Sequence, residues 1–448
     1  MESDTLPEAW SWSTLNEIVD PYSKAIVSGP FGSNIGSRFF VESGVPVIRG
    51  NNLTTDMTRF IDDGFVFVTE EKADELKNCD AIIDDLIFTA AGSLGQVGII
   101  PNTAKYSRYI ISNKQLRARV DKQKVDPLFV FYWLSSKEMV KYIQQRNTGS
   151  SVPLINLSVL RSLPIPLPPL PEQRAIAHIL STLDDKIELN RQMNETLEAM
   201  VRAIFKSWFV DFDPVRAKAE GRDTGLPEEI AALFPDSFEE TEIGEVPEGW
   251  KISKLSNVCE YIMSGGTPST QIPAYWDGDI PWLSSGETRN CFITKTEKTI
   301  TNLGVEKSST RLARAKSTVI AAAGQGHTRG QTSLLLFDSY INQSVVALAA
   351  DSKQVSDYYL FFNLSGRYEE LRQISDSHSS RGSLTTKLLN NLDIIIPSLE
   401  LVSKFSQFTE AVVGQIQQNL LQSSMLTELR DTLLPKLISG ELRINNTV

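Results

Sequence analysis

The sequence has few of the side chains that most often hold metals or form disulfides. Its three cysteines, Cys79, Cys259 and Cys291, lie far apart and form neither a disulfide framework nor a C-x-x-C motif. None of its three histidines falls in an H-E-x-x-H or Cys/His ligand spacing. The sequence therefore predicts no metal site, and the cysteines are expected to be ordinary thiols.

Long apolar runs are also missing. No uninterrupted apolar stretch approaches the ~18–20 residues that a membrane span requires. The opening MESDTLPEAW is acidic and lacks an apolar core, so no signal peptide is predicted. These absences favour a cytoplasmic protein without a membrane partner.

Sequence signatures of catalysis are absent as well. The stretch GQGHTRGQ (Gly324–Gln331) has the glycines of a phosphate-binding loop but no following Lys-Ser/Thr. The stretch DFDPVR lacks the aromatic-ended Asp-Pro-Pro-Tyr type motif that an amino-methyltransferase needs to hold a flipped base. The sequence therefore predicts no catalytic residue.

A net charge of −11 is unfavourable for binding nucleic acid, because Lys and Arg neutralise the phosphates. The acidity is concentrated in residues 166–245, which carry 8 basic and 17 acidic side chains. Residues 1–165 carry 17 and 19, and residues 246–400 carry 15 and 15. Two nearly neutral parts thus flank an acidic middle, and the chain alone is expected to bind DNA weakly without a basic partner.

At 448 residues the chain is too long for one ordinary core, and it repeats itself. LPEAWSWSTL (Leu6–Leu15) recurs as VPEGWKISKL (Val246–Leu255). Further matches follow in the same order: GVPVIRG with DIPWLSS, IFTAAG with VIAAAG, Asn113 with Asn342, and LPIPLPPL with LDIIIPSL. Order is kept while loop lengths change, which is typical of duplicated domains that contact different things.

Each repeat has the same predicted secondary structure. Short β-branched and aromatic runs such as VPVIR, GFVFV and QVGII predict strands between Gly and Asn turns. Helical runs follow at Asp126–Gln145 and Ser356–Ile374, and then a Pro-rich stop and a long helix. The predicted fold class is α+β: two duplicated mixed α/β domains separated by two long antiparallel helices in a pseudo-two-fold repeat.

The long helices are predicted at Glu172–Trp208 and Leu401–Leu437, each about 37 residues or roughly 55 Å. Two amphipathic core helices are the simpler interpretation, but this length is typical of a spacer or coiled coil. The heptad-spaced apolar residues are Ile176, Leu183, Leu197 and Ile204 in the first helix and Phe405, Val412, Leu426 and Leu433 in the second.

Equivalent residues of two antiparallel helices meet only at their midpoints, which are Asn190 and Asn419. Both are polar members of otherwise apolar heptad columns. A buried Asn is stable only when it is partnered, and an Asn pair can fix helix register. The two are predicted to lie opposite each other; the alternative is that both face solvent or a partner subunit.

Several motifs occur in a fixed order along the chain. They are SGPFGSN (Ser28–Asn34), PLPEQRAIAHIL (Pro169–Leu180), WFVDFDPVRAK (Trp208–Lys218), EVPEGW (Glu245–Trp250), SGGTPST (Ser264–Thr270), AYWDGDIPWLSSGE (Ala274–Glu287) and LLPKLISGELRI (Leu433–Ile444). Because these motifs occur together, in this order and in duplicated domains, the sequence resembles the specificity subunits of type I restriction-modification systems. One departure is Leu399–Leu401, which stands where the first repeat has Leu170–Glu172, so the second helix lacks the PEQ opening.

The resemblance implies two target-recognition domains that alternate with two repeat helices. It implies a non-catalytic subunit that reads a bipartite DNA site, one half-site per domain. The predicted segments are a first target-recognition domain (1–165), a first spacer helix (166–210), an acidic linker with a short helix (211–245), a second target-recognition domain (246–398), and a second spacer helix with the C-terminal tail (399–448).

Partners and cofactors follow from the same resemblance. It implies double-stranded DNA, two methyltransferase (M) subunits and motor-nuclease (R) subunits as partners. S-adenosylmethionine, ATP and Mg are expected on those subunits, with none bound by this chain. The assembled complex would be an adenine-specific DNA methyltransferase and an ATP-dependent endonuclease.

Reading base edges needs Arg, Asn, Gln or Lys on protruding loops, with Ser, Thr and backbone amides on phosphates. Loops of this composition occur in both repeats, although such Gly-rich turns are often only turns, and Asn113 and Asn342 are expected to be structural. The predicted DNA-binding residues of the first domain are Ser28, Ser33, Asn34, Arg49, Asn51, Asn52, Ser93, Gln96, Thr148 and Ser150. Those of the second are Ser264, Thr267, Ser269, Thr270, Ser284, Arg289, Gln325, His327, Arg329, His378 and Arg381.

Two other classes compete with this interpretation. A free-standing enzyme, such as a fused methyltransferase-nuclease, is disfavoured by the missing cofactor and catalytic motifs. A protein- or glycan-binding scaffold with duplicated lobes stays open. The discriminating observation is whether one duplex sequence is retained over others at raised salt, where unspecific binding fades.

Overall fold

The computed structural model describes residues 6–147, 152–324, 327–378 and 383–444, with only the backbone of Ser377 and His378. The chain divides into two compact units. Unit 1 consists of Met1–Glu188 with Ser424–Val448, and unit 2 consists of Leu189–Ser423. Each unit holds one copy of the repeat in a mixed α/β fold, which confirms the predicted fold class. Among the described residues, no helix is both long and apolar enough to cross a membrane.

Unit 1 begins with short strands and continues with helices. Its strands are β1 (Ser11–Thr14), β2 (Ile26–Ser28), β3 (Val45–Ile48), β4 (Val66–Val68), β5 (Asp80–Ala81), β6 (Leu86–Thr89), β7 (Val97–Ile99), β8 (Tyr109–Ile111), β9 (Gln115–Ala118) and β10 (Pro164–Leu167). Its helices are α1 (Glu70–Glu75), α2 (Pro127–Leu134), α3 (Lys137–Gln145), α4 (Leu157–Arg161) and the first part of α5 (Leu170–Phe209).

These strands form two four-stranded sheets and one pair. One sheet has the order β2-β9-β6-β7 and is antiparallel throughout. The other has the order β4-β3-β8-β5, in which β3 and β8 are parallel. β1 pairs with β10. Because the central strands are covered on both faces, β6 and β8 are buried along their whole length, as their apolar runs predict. β9 is equally buried although it carries Gln115 and Arg117.

Unit 2 repeats this plan with longer strands. Its strands are β11 (Phe238–Thr241), β12 (Gly244–Pro247), β13 (Lys251–Lys254), β14 (Cys259–Ser264), β15 (Trp276–Leu283), β16 (Phe292–Ile293), β17 (Lys298–Ile300), β18 (Arg311–Ala313), β19 (Thr318–Ala321), β20 (Thr332–Leu335), β21 (Ser339–Ile341), β22 (Val345–Ala350) and β23 (Asp393–Ile396). Its helices, besides the second part of α5, are α6 (Asp213–Ala219), α7 (Glu228–Ala231), α8 (Asn302–Glu306), α9 (Asp357–Ser365), α10 (Tyr368–His378), α11 (Thr386–Asn390) and the first part of α12 (Leu399–Ile438).

The sheets of unit 2 correspond strand for strand to those of unit 1. The order β14-β22-β19-β20 matches β2-β9-β6-β7 and gains β16 at its edge. The order β17-β15-β21-β18 matches β4-β3-β8-β5, and β15 is again parallel to β21. β13 pairs with β23 as β1 does with β10. The repeat in the sequence is therefore a repeat of sheet topology.

Each predicted helical run, Asp126–Gln145 and Ser356–Ile374, is two helices rather than one. In unit 1 the break falls at Ser136, whose side chain accepts a hydrogen bond from the backbone N–H of Met139 and so caps α3. In unit 2 the break falls between α9 and α10, where Gly366 is the C-cap of α9. The sequence pattern identified helical residues but missed the caps that divide them.

The two long helices, α5 and α12, each span 40 residues. The PEQ motif fastens the start of α5: the carboxylate of Glu172 accepts hydrogen bonds from Trp10 Nε1 (3.1 Å) and from Arg443 Nε (2.8 Å). Gln173 accepts a bond from the backbone N–H of Asp126 (3.0 Å). α12 starts without this motif, and Ser398 Oγ accepts from the backbone N–H of Leu401 (3.3 Å) instead.

In unit 1 the helices and the α/β domain are joined by buried charges. Arg430 of α12 is buried and donates to Asp184 of α5 at 2.8 Å. The Tyr132 hydroxyl of α2 donates to the same carboxylate at 2.6 Å. Arg59, from the loop after β3, donates to the backbone carbonyl of Ser181 at 2.9 Å. One carboxylate thus connects both helices and the domain.

In unit 2 aromatic side chains join the helices to the α/β domain. Phe205 of α5 lies against Phe405 of α12, with ring centroids 5.6 Å apart, and against Tyr359 of α9 at 5.5 Å. The Tyr359 hydroxyl, which burial keeps protonated by raising its pKa, donates to the backbone carbonyl of Ile395 at 2.6 Å. Unit 1 packs Ile176, Leu434 and Phe129 at the matching positions, so its ionic contacts add to an apolar junction that both units share.

Within unit 2, α5 and α12 run antiparallel, as predicted, because Asn190 lies beside Asn419 while Phe205 lies beside Phe405. Both asparagines are buried, which excludes the solvent-facing alternative. The predicted meeting of the two midpoints is confirmed.

The hydrogen bonds at this crossing differ from a side-chain Asn–Asn pair, and among the described residues Asn190 Oδ1 accepts no hydrogen bond. Asn190 Nδ2 donates to the backbone carbonyl of Asn419 (3.4 Å), to Gln422 Oε1 (2.9 Å) and to Ser423 Oγ (3.2 Å). Asn419 Nδ2 donates to Asn194 Oδ1 (2.8 Å). A polar cluster, rather than a side-chain pair, therefore sets the register of the helices.

Asn190→Ala is expected to lower the free energy of unfolding by about 1–3 kcal/mol, because the buried carbonyl of Asn419 and the side chains of Gln422 and Ser423 lose a donor. Urea denaturation of the full chain measures this. Gln418→Ala is the control. Gln418 is exposed on α12 beside Asn419, and its replacement is expected to change stability little. Equal stability of the two variants would contradict a structural role for the crossing.

Candidate nucleic-acid interface

In unit 1 the loops that were predicted to bind DNA leave the sheets at one edge. β3 and β8 are parallel, so they end together at Ile48 and Ile111. β2 and β6 are antiparallel to β9, so their last residues lie where β9 begins, at Gln115. The loops that open on this edge are Ser28–Asn34, Arg49–Asn52, Ser93–Gln96 and the 112–114 turn.

Close backbone contacts hold these loops together. The N–H of Gly29 donates to the carbonyl of Gln115 (3.0 Å), and the N–H of Ser112 donates to the carbonyl of Ile48 (2.9 Å). A Cβ on Gly29 would lie 1.8 Å from the carbonyl oxygen of Ser112, so only glycine fits. We call this loop cluster the unit 1 edge.

Unit 2 builds the same edge. β15 and β21 are parallel and end together at Leu283 and Ile341, and the ends of β14 and β19 lie where β22 begins. Gly265 occupies the place of Gly29, and a Cβ on it would lie 1.8 Å from the carbonyl oxygen of Ile341. The unit 2 edge consists of the loops Ser264–Gln271 and Ser284–Arg289, the described residues 322–324 and 327–330, and the 342–344 turn.

The two edges correct one equivalence taken from the sequence. The backbone N–H of Asn342 donates to the carbonyl of Leu283, as that of Ser112 does to the carbonyl of Ile48. The Asn342 side chain accepts from the N–H of Ser344, and the Ser112 hydroxyl likewise accepts from the N–H of Lys114. The counterpart of Asn342 is therefore Ser112, not Asn113. Asn342 is structural, as expected, whereas Asn113 is exposed.

A buried polar side chain supports each edge at the same position. The side chain of Asn52 accepts from the N–H of Arg49 (2.9 Å) and donates to the carbonyls of Ile61 (2.9 Å) and Asp63 (2.8 Å). Glu287 is its counterpart and accepts from the N–H of Ser284 at 2.8 Å. Asn52 therefore shapes the loop, and its predicted contact with DNA stays a prediction.

The structure places the predicted DNA-binding residues in four groups. Those exposed at the edges are Ser33, Asn34, Asn51, Ser93, Ser269, Thr270, Arg289 and His327. Those partly buried are Ser28, Arg49, Gln96, Ser264, Thr267 and Ser284. Those buried are Asn52 and Arg329. Thr148, Ser150, Gln325 and Arg381 lie outside the described residues, as does the side chain of His378.

Several of these side chains are engaged within the protein. Besides Asn52 and Thr267, Arg49 and Asn51 donate to the backbone carbonyl of Gly64 (3.2 and 3.4 Å), and Ser284 donates to Glu287 (3.0 Å). Gln96 donates to the backbone carbonyl of Leu53 (2.9 Å) and accepts from Thr89 (2.8 Å). Arg329 is buried and forms an ion pair with Asp376. Arg289 forms an exposed ion pair with Glu297 at 2.6 Å, which DNA phosphates can compete for.

Sequence reasoning missed three exposed side chains at the edges. Lys114 lies in the turn between β8 and β9, and Gln343 lies in the equivalent turn of unit 2, where it accepts from Thr267. Arg311 starts β18, which pairs with the end of β21. The sequence match of Asn113 with Asn342, next to Lys114 and Gln343, indicated the two turns. Arg311 reaches the edge only through the pairing of β18 with β21, which no local pattern indicates.

A cysteine thiol contacts the backbone at the start of the Ser28–Asn34 loop. Cys79 Sγ lies 3.5 Å from the backbone carbonyl of Ser28 and donates to it. Burial raises the pKa of Cys79, so the thiol stays protonated and keeps its donor. Among the described residues, no three His, Cys, Asp or Glu side chains are grouped to hold a metal ion.

The chain thus holds two copies of one mixed α/β domain. Each copy gathers polar loops at the same edge, so one chain carries two similar loop surfaces. The chain belongs to the specificity subunits of type I restriction-modification systems, because the sequence model described as the type I restriction modification DNA specificity domain matches residues 35–199 and 247–422. The predicted family is confirmed, and its two matches fall on the two repeats.

Relatives extend over most of the chain. The type I restriction enzyme HindI specificity subunit of Haemophilus influenzae is 30% identical over 377 residues, covering 75% of this chain and 81% of the relative. The MjaIX specificity subunit of Methanocaldococcus jannaschii is 23% identical and covers 98% and 95%. The crystal structure of the S subunit from M. genitalium superposes with a TM-score of 0.59 at 16% identity, covering 98% of this chain and 97% of that chain, which shows a shared fold.

Asn51 and Asn52 are adjacent but are expected to respond differently to replacement by alanine. Asn52→Ala is expected to lower the free energy of unfolding by about 1–3 kcal/mol, since it removes the three hydrogen bonds of a buried side chain that hold the loop. Asn51→Ala, at an exposed side chain, is expected to leave stability unchanged and to weaken DNA binding. Urea denaturation and DNA-binding titrations measure the two effects; the reverse assignment would remove Asn51 from the interface.

Proposed function

We propose that this subunit reads a bipartite site in double-stranded DNA, with the unit 1 edge on one half-site and the unit 2 edge on the other. The observation that carries the proposal is the construction of the same loop edge twice, on matching strands, with different side chains on the loops. A duplicated framework with divergent loops suits two unrelated half-sites.

The exposed side chains at each edge divide by chemistry. Asn34, Asn51 and Arg289 carry the donor and acceptor groups that read base edges. Ser33 and Lys114 of unit 1 and Thr270 of unit 2 suit phosphate contacts, which position the protein without specifying sequence. Base readout is therefore assigned to the first set and positioning to the second.

We further propose that the long helices dock the methyltransferase subunits. In unit 2, α5 exposes Leu189 (51%) and Met200 (47%), and α12 exposes Leu421 (47%). In unit 1, α12 exposes Met425 (71%). Apolar side chains of this size on a helix surface support contact with a partner. Motor-nuclease subunits, S-adenosylmethionine, ATP and Mg²⁺ belong, in this proposal, to the assembled complex rather than to this chain.

The purified chain alone is expected to transfer no methyl group to DNA and to cleave none, since the chemistry is assigned to its partners. The measurement is transfer of a labelled methyl group from S-adenosylmethionine to DNA, with the complex purified from the host as the positive control. Methyl transfer by the chain without any partner would contradict the assignment.

Replacing residues 246–390 with the corresponding domain of a relative is expected to change one half of the recognised site and to leave the other half intact. Mapping of methylated positions across the host genome measures both halves. Changes in both halves would show that the domains do not read independently. Selection of no duplex at raised salt would favour the protein- or glycan-binding scaffold instead.

A further inference from the structure

One aromatic ring stands out at the unit 1 edge. Phe31 lies in the loop after β2, and 82% of its surface is exposed. Leaving a phenylalanine in water forgoes about 1.5–3 kcal/mol of burial free energy. The fold therefore gains nothing from this ring, and its position calls for a ligand.

The loop presents the ring from a braced backbone. Gly29 packs directly against the carbonyl of Ser112, and Pro30 is buried. The N–H of Asn34 donates to the carbonyl of Phe31 (3.1 Å) and closes a turn. Arg38 donates to the carbonyl of Ser33 at 2.9 Å. Since the backbone is already fixed, only the side-chain torsions of Phe31 lose freedom on binding.

The surroundings of Phe31 are polar and basic. Its exposed neighbours along the loop are Gly32, Ser33 and Asn34, so the ring is isolated and is not part of an apolar patch. A protein interface needs far more area than one ring supplies. Lys114, exposed in the turn that begins at Ser112, brings a cation to the same edge. A flat apolar group beside donors and a cation matches the chemistry of a nucleic-acid base with its phosphate.

We propose that Phe31 is a stacking wedge, which inserts its ring against a base of the half-site read by unit 1 and unstacks that base step. The proposal rests on the proposed DNA-reading function and deepens it. Aromatic rings accept any base face, and apolar wedges that enter a base step kink the duplex. Phe31 thereby selects for base steps that unstack easily, rather than for a hydrogen-bonding pattern.

The wedge operates at one half-site. The corresponding loop of unit 2, Ser264–Thr270, contains no aromatic residue. Its Thr267 hydroxyl is bonded to Gln343 within the edge, and Pro268 is buried. Distortion of the DNA is therefore confined to the half-site of unit 1, although the two edges share one framework.

The test uses the full chain in the complex purified from its host. A pool of random duplexes identifies the bound sequence, and 2-aminopurine is then placed at each position of both half-sites, without added S-adenosylmethionine. The wild-type complex is expected to raise fluorescence at one step of the unit 1 half-site. Phe31→Ala is expected to abolish that signal and to weaken binding about tenfold, or ~1.4 kcal/mol, while Phe31→Trp retains both.

Tyr22→Ala is the matched control. Tyr22 is 97% exposed in the same unit, but it precedes the start of β2, the end opposite the loop edge. Its replacement is expected to change neither signal nor affinity. A fluorescence signal that is independent of Phe31, such as base flipping by a partner methyltransferase, does not count in favour.

The possible outcomes distinguish failure of the Phe31 wedge from failure of the proposed DNA-reading function. If one duplex is selected but Phe31→Ala keeps both affinity and fluorescence, the wedge is wrong and the DNA-reading function stands. If Phe31→Ala impairs assembly of the complex and leaves DNA binding by the assembled fraction intact, the ring binds a protein, and the wedge is again overturned. If no duplex is selected, the proposed function itself fails.

Discussion

Parallel pairing of two short strands is the constraint on which both loop edges depend. β3 with β8, and β15 with β21, end at the same level, so the loops that follow them must leave on the same side. An antiparallel pairing would send them to opposite ends of the sheet. Gly29 and Gly265 then bring the neighbouring sheet to within contact of these strand ends, because any side chain there would collide with a carbonyl. Two sheets thus contribute loops to one surface, and this happens in each unit.

Duplication preserved this framework while its contents diverged. The brace at the base of each edge is an amide in one copy, Asn52, and a carboxylate in the other, Glu287, yet both accept a backbone N–H at the same place. The loop after β2 presents an aromatic ring, whereas its counterpart ties Thr267 to Gln343. A scaffold whose loops are positioned by backbone hydrogen bonds tolerates such exchanges, since the side chains are free to change. This is the property that the proposed reading of two different half-sites requires.

The long helices show the same divergence below the surface. Both units pack apolar side chains where the helices meet the domain, and unit 1 adds the ion pair of Arg430 with Asp184. A buried ion pair depends on every partner being present, whereas aromatic packing tolerates substitution. The polar cluster at Asn190 and Asn419 adds the directional bonds that apolar heptads lack, and so the register does not depend on the apolar contacts alone.

The sequence by itself determined the features that local patterns encode: the duplication, the α+β class, the long helices, and the meeting of Asn190 with Asn419, which follows from heptad spacing and antiparallel symmetry. Only the tertiary structure decided which loop residues are available. It buried Asn52 and Arg329, placed Arg311 at an edge through the pairing of β18 with β21, and made Ser112 rather than Asn113 the counterpart of Asn342. The physical reason is that periodicity and capping act over a few residues, whereas strand pairing joins distant segments whose register no local pattern specifies.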